Sequence, residues 1–185
     1  MRKHLIVLGI ALLMLFSCEA IKESITVPVN TSLTVNVPFT VSVTKNAGLS
    51  GKAATTYNFT ASRVLEVGEN VDMKAYINKI KSVDLKGVTV TIATLTGTEE
   101  VLTLEVSVSG VNGPVFSKNN ITATGNNPFS PVITQAIQSQ LDLVESKVIN
   151  ERKITITVSG TTNTAPLVLN AQLAFDAKFT CMPLN

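Results

Sequence analysis

From Ile25 onward the chain alternates. Ile25, Val27 and Val29 occupy odd positions, followed by Leu33, Val35, Val37, Phe39, Val41 and Val43, while Thr34, Asn36, Pro38, Thr40 and Ser42 fill the even ones. A period of two puts one row of side chains on a dry face and the other in water, the pattern of half-buried strands. This stretch supplies the first two strands. Pro38 falls on the polar row and has no N–H to give a ladder, which places its strand at an edge or at a bulge. Residues 45–52 read as a loop, and Tyr57, Phe59 and Ala61 mark a third strand. Val83 and Leu85 open the next one. After Lys86-Gly87 the phase slips by one, to Val88, Val90 and Ile92, and a slip beside glycine predicts a bulge that keeps the dry face inward. Thr96-Gly97-Thr98-Glu99-Glu100 reads as a turn, and Leu102, Leu104, Val106 and Val108 return from it as the second arm of a hairpin. A weaker strand lies near Val115–Thr122. Ile154, Ile156 and Val158 then alternate with Thr155, Thr157 and Ser159. After a turn at residues 160–164, every odd position from Leu167 to Cys181 is apolar.

Two segments change period. Over residues 70–81, Met73, Tyr76, Ile77 and Ile80 recur at helical spacing. Asn70 stands at the capping position, with Asp72 in the first turn and Lys79 and Lys81 at the far end. A short helix is expected there. Ser130-Pro131 reads as a second helix start, and Ile133, Ile137, Leu141 and Val144 form a stripe opposite Gln135, Gln138, Asp142 and Glu145. That helix is expected to pack on a sheet, since its polar face lacks the basic residues of helices that lie on membranes.

Eight strands with one-sided burial and two accessory helices predict an all-β antiparallel sandwich, immunoglobulin-like or related, with its two sheets about 10 Å apart. A lipocalin-like closed barrel is the alternative. A membrane barrel would need aromatic girdles at both interfaces. This chain has no Trp, seven Phe and two Tyr.

The first eighteen residues follow other rules. Arg2, Lys3 and His4 precede an uncharged apolar run, Leu5 to Phe16. That run is too short to span a ~30 Å hydrocarbon core at ~1.5 Å per residue, and it fits the apolar centre of a secretory signal. It ends Leu15-Phe16-Ser17-Cys18. Here the sequence resembles the signal peptide of bacterial lipoproteins, whose lipobox sets Leu three residues before an invariant Cys and a small residue directly before it. Leu15, Ser17 and Cys18 match, whereas Phe16 is bulkier than that pattern usually carries. The resemblance implies that residues 1–17 are removed and that Cys18 becomes a lipidated N-terminus. Residues 18–24 are then a short tether and 25–185 a single sandwich domain. At ~0.8 kcal/mol per buried methylene, two or three acyl chains hold a protein stably on a bilayer. The resemblance also implies a bacterial cell envelope location, with the outer membrane expected.

Composition enters through what that cleavage removes. The full chain carries fifteen Lys and Arg against thirteen Asp and Glu. Loss of Arg2 and Lys3 balances the two, so the basic footprint expected of a nucleic-acid partner is missing. The one histidine, His4, goes with the signal, which leaves no Ser-His or Cys-His pair and no imidazole for a metal. Cys181 lies on the dry face of the last strand and reads as an inert core thiol. Glu99-Glu100 reads as a solvated turn tip. Glu66, Glu69 and Asp72, three residues apart, offer oxygens of the kind Ca²⁺ takes ~6–8 of, but without the acidic loop and glycine of a known site; a plain entry to the first helix is the default. The asparagine-rich pieces Lys118-Asn119-Asn120 and Gly125-Asn126-Asn127-Pro128-Phe129 read first as turn chemistry, and as a binding surface if Phe116 or Phe129 is exposed.

The expectation is therefore a non-enzymatic envelope lipoprotein, a binding or structural module held to the membrane through Cys18. An envelope protein or a glycan is the expected partner class, with no nucleic acid, no cofactor, no metal and no catalytic residue. The sequence names no binding residue. The alternative is a carrier of a hydrophobic ligand in a β-lined cavity. A hydrolase would need two carboxylates about 5–10 Å apart in a cleft, and nothing in the spacing marks such a pair.

Overall fold

A computed structural model describes residues 25–41, 56–95, 98–125 and 127–184. The signal segment, Cys18, the tether and the 45–52 loop lie outside the described residues. Seven strands and one helix are described: β1 (Val27–Val41), β2 (Tyr57–Glu66), β3 (Ile80–Ala93), β4 (Glu100–Val108), β5 (Pro114–Thr122), α1 (Gln135–Glu151), β6 (Lys153–Thr162) and β7 (Leu167–Cys181). They form two antiparallel sheets, β1-β7-β3 and β2-β6-β4-β5. The sheets stay separate, so the architecture is the expected sandwich and the closed-barrel alternative falls.

The strand faces follow the alternation. Leu33, Val35, Val37, Phe39 and Val41 of β1 are buried, as are Leu169, Ala171, Leu173, Phe175, Ala177, Phe179 and Cys181 of β7. Across the sandwich they meet Phe59, Leu65, Leu104, Val106, Val108, Ile154, Ile156 and Val158 in one continuous core. Phe39 of one sheet stacks on Phe59 of the other, with ring centroids 4.4 Å apart. Phe59 in turn covers Gly160, its cross-strand partner in β6. A Cβ at Gly160 would lie 1.9 Å from the Thr103 carbonyl oxygen and 2.8 Å from the Phe59 ring, so glycine is required by space alone.

The expected first two strands are one. Odd parity runs unbroken from Val27 to Val41, and β1 pairs with β7 over its whole length without a register shift. β1 is an edge strand, one of the two placements Pro38 allowed. The slip at Lys86-Gly87 is a bulge in the β3–β7 ladder, between Leu85 and Gly87.

The expected β3–β4 hairpin does not form. β3 belongs to one sheet and β4 to the other, so the chain between them crosses the sandwich. Alternation reports which face of a strand is dry; both sheets turn a dry face to the same core, and the pattern does not say which sheet a strand joins. β4 is also bulged between Val101 and Thr103 against β6, which buries Val101 and leaves Leu102 half-buried.

The helix expected over 70–81 is a run of turns following a 3₁₀ turn at Val67–Glu69. Met73, Tyr76 and Lys79 each donate to the carbonyl three residues back, and only Lys74 reaches four back, to Asn70. A segment this short is marginal as an isolated helix. Asn70 does accept from the Asp72 N–H through Oδ1, as a cap would, while its amide nitrogen donates across to β1. The apolar spacing nevertheless reports burial correctly. Met73 and Ile80 are buried, and Tyr76 and Ile77 pack against the same core.

α1 starts later than Ser130-Pro131. Its N-cap is Thr134, whose hydroxyl accepts from the Ile137 N–H at 3.3 Å. Residues 127–130 lie instead along the outer edge of β3. Phe129 exchanges both backbone hydrogen bonds with Val90, each 2.9 Å. The Asn127 side-chain amide accepts from the Ile92 N–H and donates to its carbonyl, at 2.7 and 2.5 Å. Lower on the same edge, the Glu145 carboxylate of α1 accepts from the Leu85 N–H at 2.7 Å. Leu141, Val144 and Val148 form the buried face of α1, which rests on β3, β5 and β6. Ile133 stands outside the helix at the margin of exposure. One side of the sandwich, between β3 and β5, is thus closed by α1 and the strap before it.

Candidate functional site

The opposite side is bounded by the edge strands β1 and β2. Between them lies a cleft of about 460 Å³, lined by residues 32–36 of β1, 64–66 of β2 and 69–71 of the turn that follows. Leu33, Val35 and Leu65 form its buried floor. Val64 and Val71 stand at its rim with 48% and 85% of their surface exposed.

Among the described residues, no strand pairs with either wall of this cleft. In an antiparallel ladder the N–H and C=O of one residue point to the same side, and the side alternates along the strand. Val67 donates to the Arg152 carbonyl, continuing the β2–β6 ladder, so odd positions of β2 face β6 and even ones face away. On β1, the Ser32 carbonyl accepts from the Asn70 side chain at 3.0 Å, away from β7. The far side of β7 fixes the same phase. Its Val168 carbonyl takes a bond from the Thr94 hydroxyl on the β3 side, so even positions of β7 face β3 and odd ones face β1. Thr34 and Asn36 of β1 therefore turn their N–H and C=O toward the open side, as do Val64 and Glu66 of β2. Pro38 has the same outward phase, which is why it leaves the β7 ladder intact.

One end of the cleft is tied shut. The Asn70 amide donates to the Thr31 hydroxyl and the Ser32 carbonyl, at 3.1 and 3.0 Å, and Thr31 donates to Asp72 at 2.8 Å. Asn70 Oδ1 also accepts from the Asp72 N–H at 3.0 Å, fixing the turn. Glu66 and Glu69 are the charged side chains of the lining. Both are exposed, and among the described residues neither takes part in an ion pair.

The residues singled out in the sequence scatter. Cys18 lies outside the described residues. Cys181 is fully buried at the end of β7, between Val27 of β1 and Ile80 of β3. Burial pushes its thiol up from the ordinary range, with Arg152 pulling partly the other way. Glu66 and Glu69 reach the cleft while Asp72 is taken up by Thr31. Among the described residues no group of three or more His, Cys, Asp or Glu comes together to hold a metal. Glu100 is not at a turn tip; it begins β4, and its backbone is bonded to Asn163. Lys118, Asn119 and Asn120 belong to β5 rather than to a loop. Asn127 and Phe129 are consumed in covering the β3 edge. Phe116 is buried and meets half-buried Phe129 edge-on at 6.3 Å, so neither ring offers an exposed binding face. No described helix is long and apolar enough to cross a membrane.

No family model and no curated protein matches the chain. Among solved structures, it is similar to a chain titled Desmodium yellow mottle tymovirus, at 10% identity and a TM-score of 0.35, covering 85% of this chain and 92% of that one. So distant a likeness bears on no question of function.

Proposed function

We propose that this protein is a bacterial envelope lipoprotein without enzymatic activity, a β-sandwich binding module held to a membrane, with the outer membrane as its site, through lipid on Cys18. The observation that carries this reading is Leu15-Phe16-Ser17-Cys18 at the end of a basic, then apolar, leader. The fold is compatible with it. The described strands begin at Val27, so at about 3.3 Å per extended residue the tether keeps the sandwich within roughly 30 Å of the bilayer. The carrier alternative needs a β-lined cavity for a hydrophobic ligand. Here the two sheets are separate and their facing side chains fill the interior, with Phe175, Phe179, Met73 and Leu173 almost wholly buried.

Metabolic labelling of the full chain with a clickable palmitate analogue, followed by membrane fractionation, tests the proposal. Label in the original chain, with none in a Cys18→Ser variant that also leaves the membrane fraction, is the expected result. An unlabelled original chain, or a Cys18→Ser variant that keeps label and membrane, overturns it.

A further inference from the structure

We infer that the cleft between β1 and β2 takes an extended segment of a partner protein, added as a strand, with a lysine or arginine placed against Glu66 and Glu69. Three features of the cleft point to that occupant. First, two outward-facing backbone rows, at Thr34 and Asn36 and at Val64 and Glu66, border one opening; such rows template an added strand. Second, among the described residues the edge runs without tie from residue 33 to 36, since the Asn70 clamp ends at Ser32. Five β1 residues line the cleft, and at ~3.3 Å each this accommodates an extended peptide of about five residues. Its alternate side chains would meet exposed Val64 and Val71. Third, among the described residues the charge of the lining is of one sign, that of Glu66 and Glu69.

That charge also argues against a second copy of this chain as the occupant. A two-fold contact brings each patch onto its own copy, so Glu66 and Glu69 would face the same carboxylates, and like charges across a strand pair repel. A basic segment meets them with the opposite sign.

The inference deepens the binding-module reading and rests on it only for the partner being an envelope protein. Its test is therefore run on the full chain carrying Cys18→Ser, in which lipidation plays no part. The probe is a synthetic acetylated and amidated hexapeptide, Thr-Val-Thr-Val-Thr-Lys, with the same peptide ending in Glu as control. Amide hydrogen exchange is followed by mass spectrometry. The expected result is slower exchange confined to residues 32–36 and 62–66 with the lysine peptide and at least tenfold weaker binding of the glutamate peptide. The double variant Glu66→Lys, Glu69→Lys alters two exposed side chains and should reverse that preference. Asn36→Pro, placed like Pro38 so that the β7 ladder survives, should weaken both peptides. Equal protection by both peptides, protection elsewhere, or no protection at millimolar peptide overturns the inference. So does concentration-dependent protection of residues 32–36 without any peptide, which would make a second copy the occupant.

Discussion

Gly160 offers the sharpest test of how the sandwich is packed. Replacing it by alanine puts a methyl carbon 1.9 Å from the Thr103 carbonyl oxygen and 2.8 Å from the Phe59 ring. The ring can tilt, but the carbonyl belongs to β4, which is paired to β6 at this point through Thr103–Thr161 and Leu104–Gly160. Relief needs a separation above 3.0 Å, so the two backbones must part by more than an ångström. Overpacking costs about 1–3 kcal/mol, and loss of two ladder hydrogen bonds adds about 1 kcal/mol each, for a total near 3–5 kcal/mol. In a domain of this size, each kcal/mol moves Tm by about 2–4 °C, so Gly160→Ala should melt roughly 6–20 °C below the original by circular dichroism. Gly113→Ala is the control. Gly113 has φ +78° but nothing within 4 Å of its added Cβ, so only conformational strain of about 1–2 kcal/mol applies. A Gly160→Ala protein that melts within 2 °C of the original by that assay, or above Gly113→Ala, would refute the packing described for β4 and β6.

Three further outcomes follow from the closed side and the core. Burial raises the Glu145 carboxyl above its usual 4.5, with the Leu85 N–H bond opposing the shift. The fold therefore holds the proton more tightly than the unfolded chain does. The resulting stability is complete below pH 4.5 and is lost as pH rises through the higher folded value. Melting curves of the original and of Glu145→Gln should accordingly shift in the original's favour between pH 7 and pH 4.5; a difference that stays constant or moves the other way contradicts this. Asn127→Ala strips both partners from the Ile92 backbone and should cost about 2–3 kcal/mol, with faster amide exchange at Ile92 but not at Val37; unchanged exchange at Ile92 would mean the strap does not cover that edge. Cys181 should resist a thiol reagent at pH 8 in the folded protein and react fully in denaturant, and stoichiometric labelling of Cys181 without denaturant would contradict its burial.

Period-two patterning made most of the strand faces readable. Parity carries unbroken from Val27 through Thr31 to Val41, a signal that the two expected strands are one, and the expectation of two did not use it. The stripe at Met73, Tyr76, Ile77 and Ile80 foretold burial but not hydrogen bonding, since a chain of turns plugging the end of a sandwich can present the same spacing as a helix. The sheet assignment of β4 was not legible, because strands of both sheets bury one face in a shared core. The cleft was hidden for a related reason. It lies where β1 and β2 have no further strand partner among the described residues, and partner lists are a property of topology. Its nearest sequence signal was Pro38, which placed β1 at an edge or a bulge. Glu66 and Glu69 drew attention as metal oxygens, whereas their place in the fold is the rim of an open strand pair. The strap was missed because Asn127 and Phe129 look like turn residues, and only the fold supplies the bare β3 edge that they cover.

The central claim is that lipid on Cys18 holds this sandwich at a membrane, and intact mass spectrometry of the full gene product purified from bacterial membranes addresses it most directly. The expected product is a chain that begins at Cys18, without residues 1–17, and is heavier than its amino acids by a diacylglycerol, with or without a further acyl group. A chain that retains its first seventeen residues, or one that starts at Cys18 with an unmodified thiol, would contradict it.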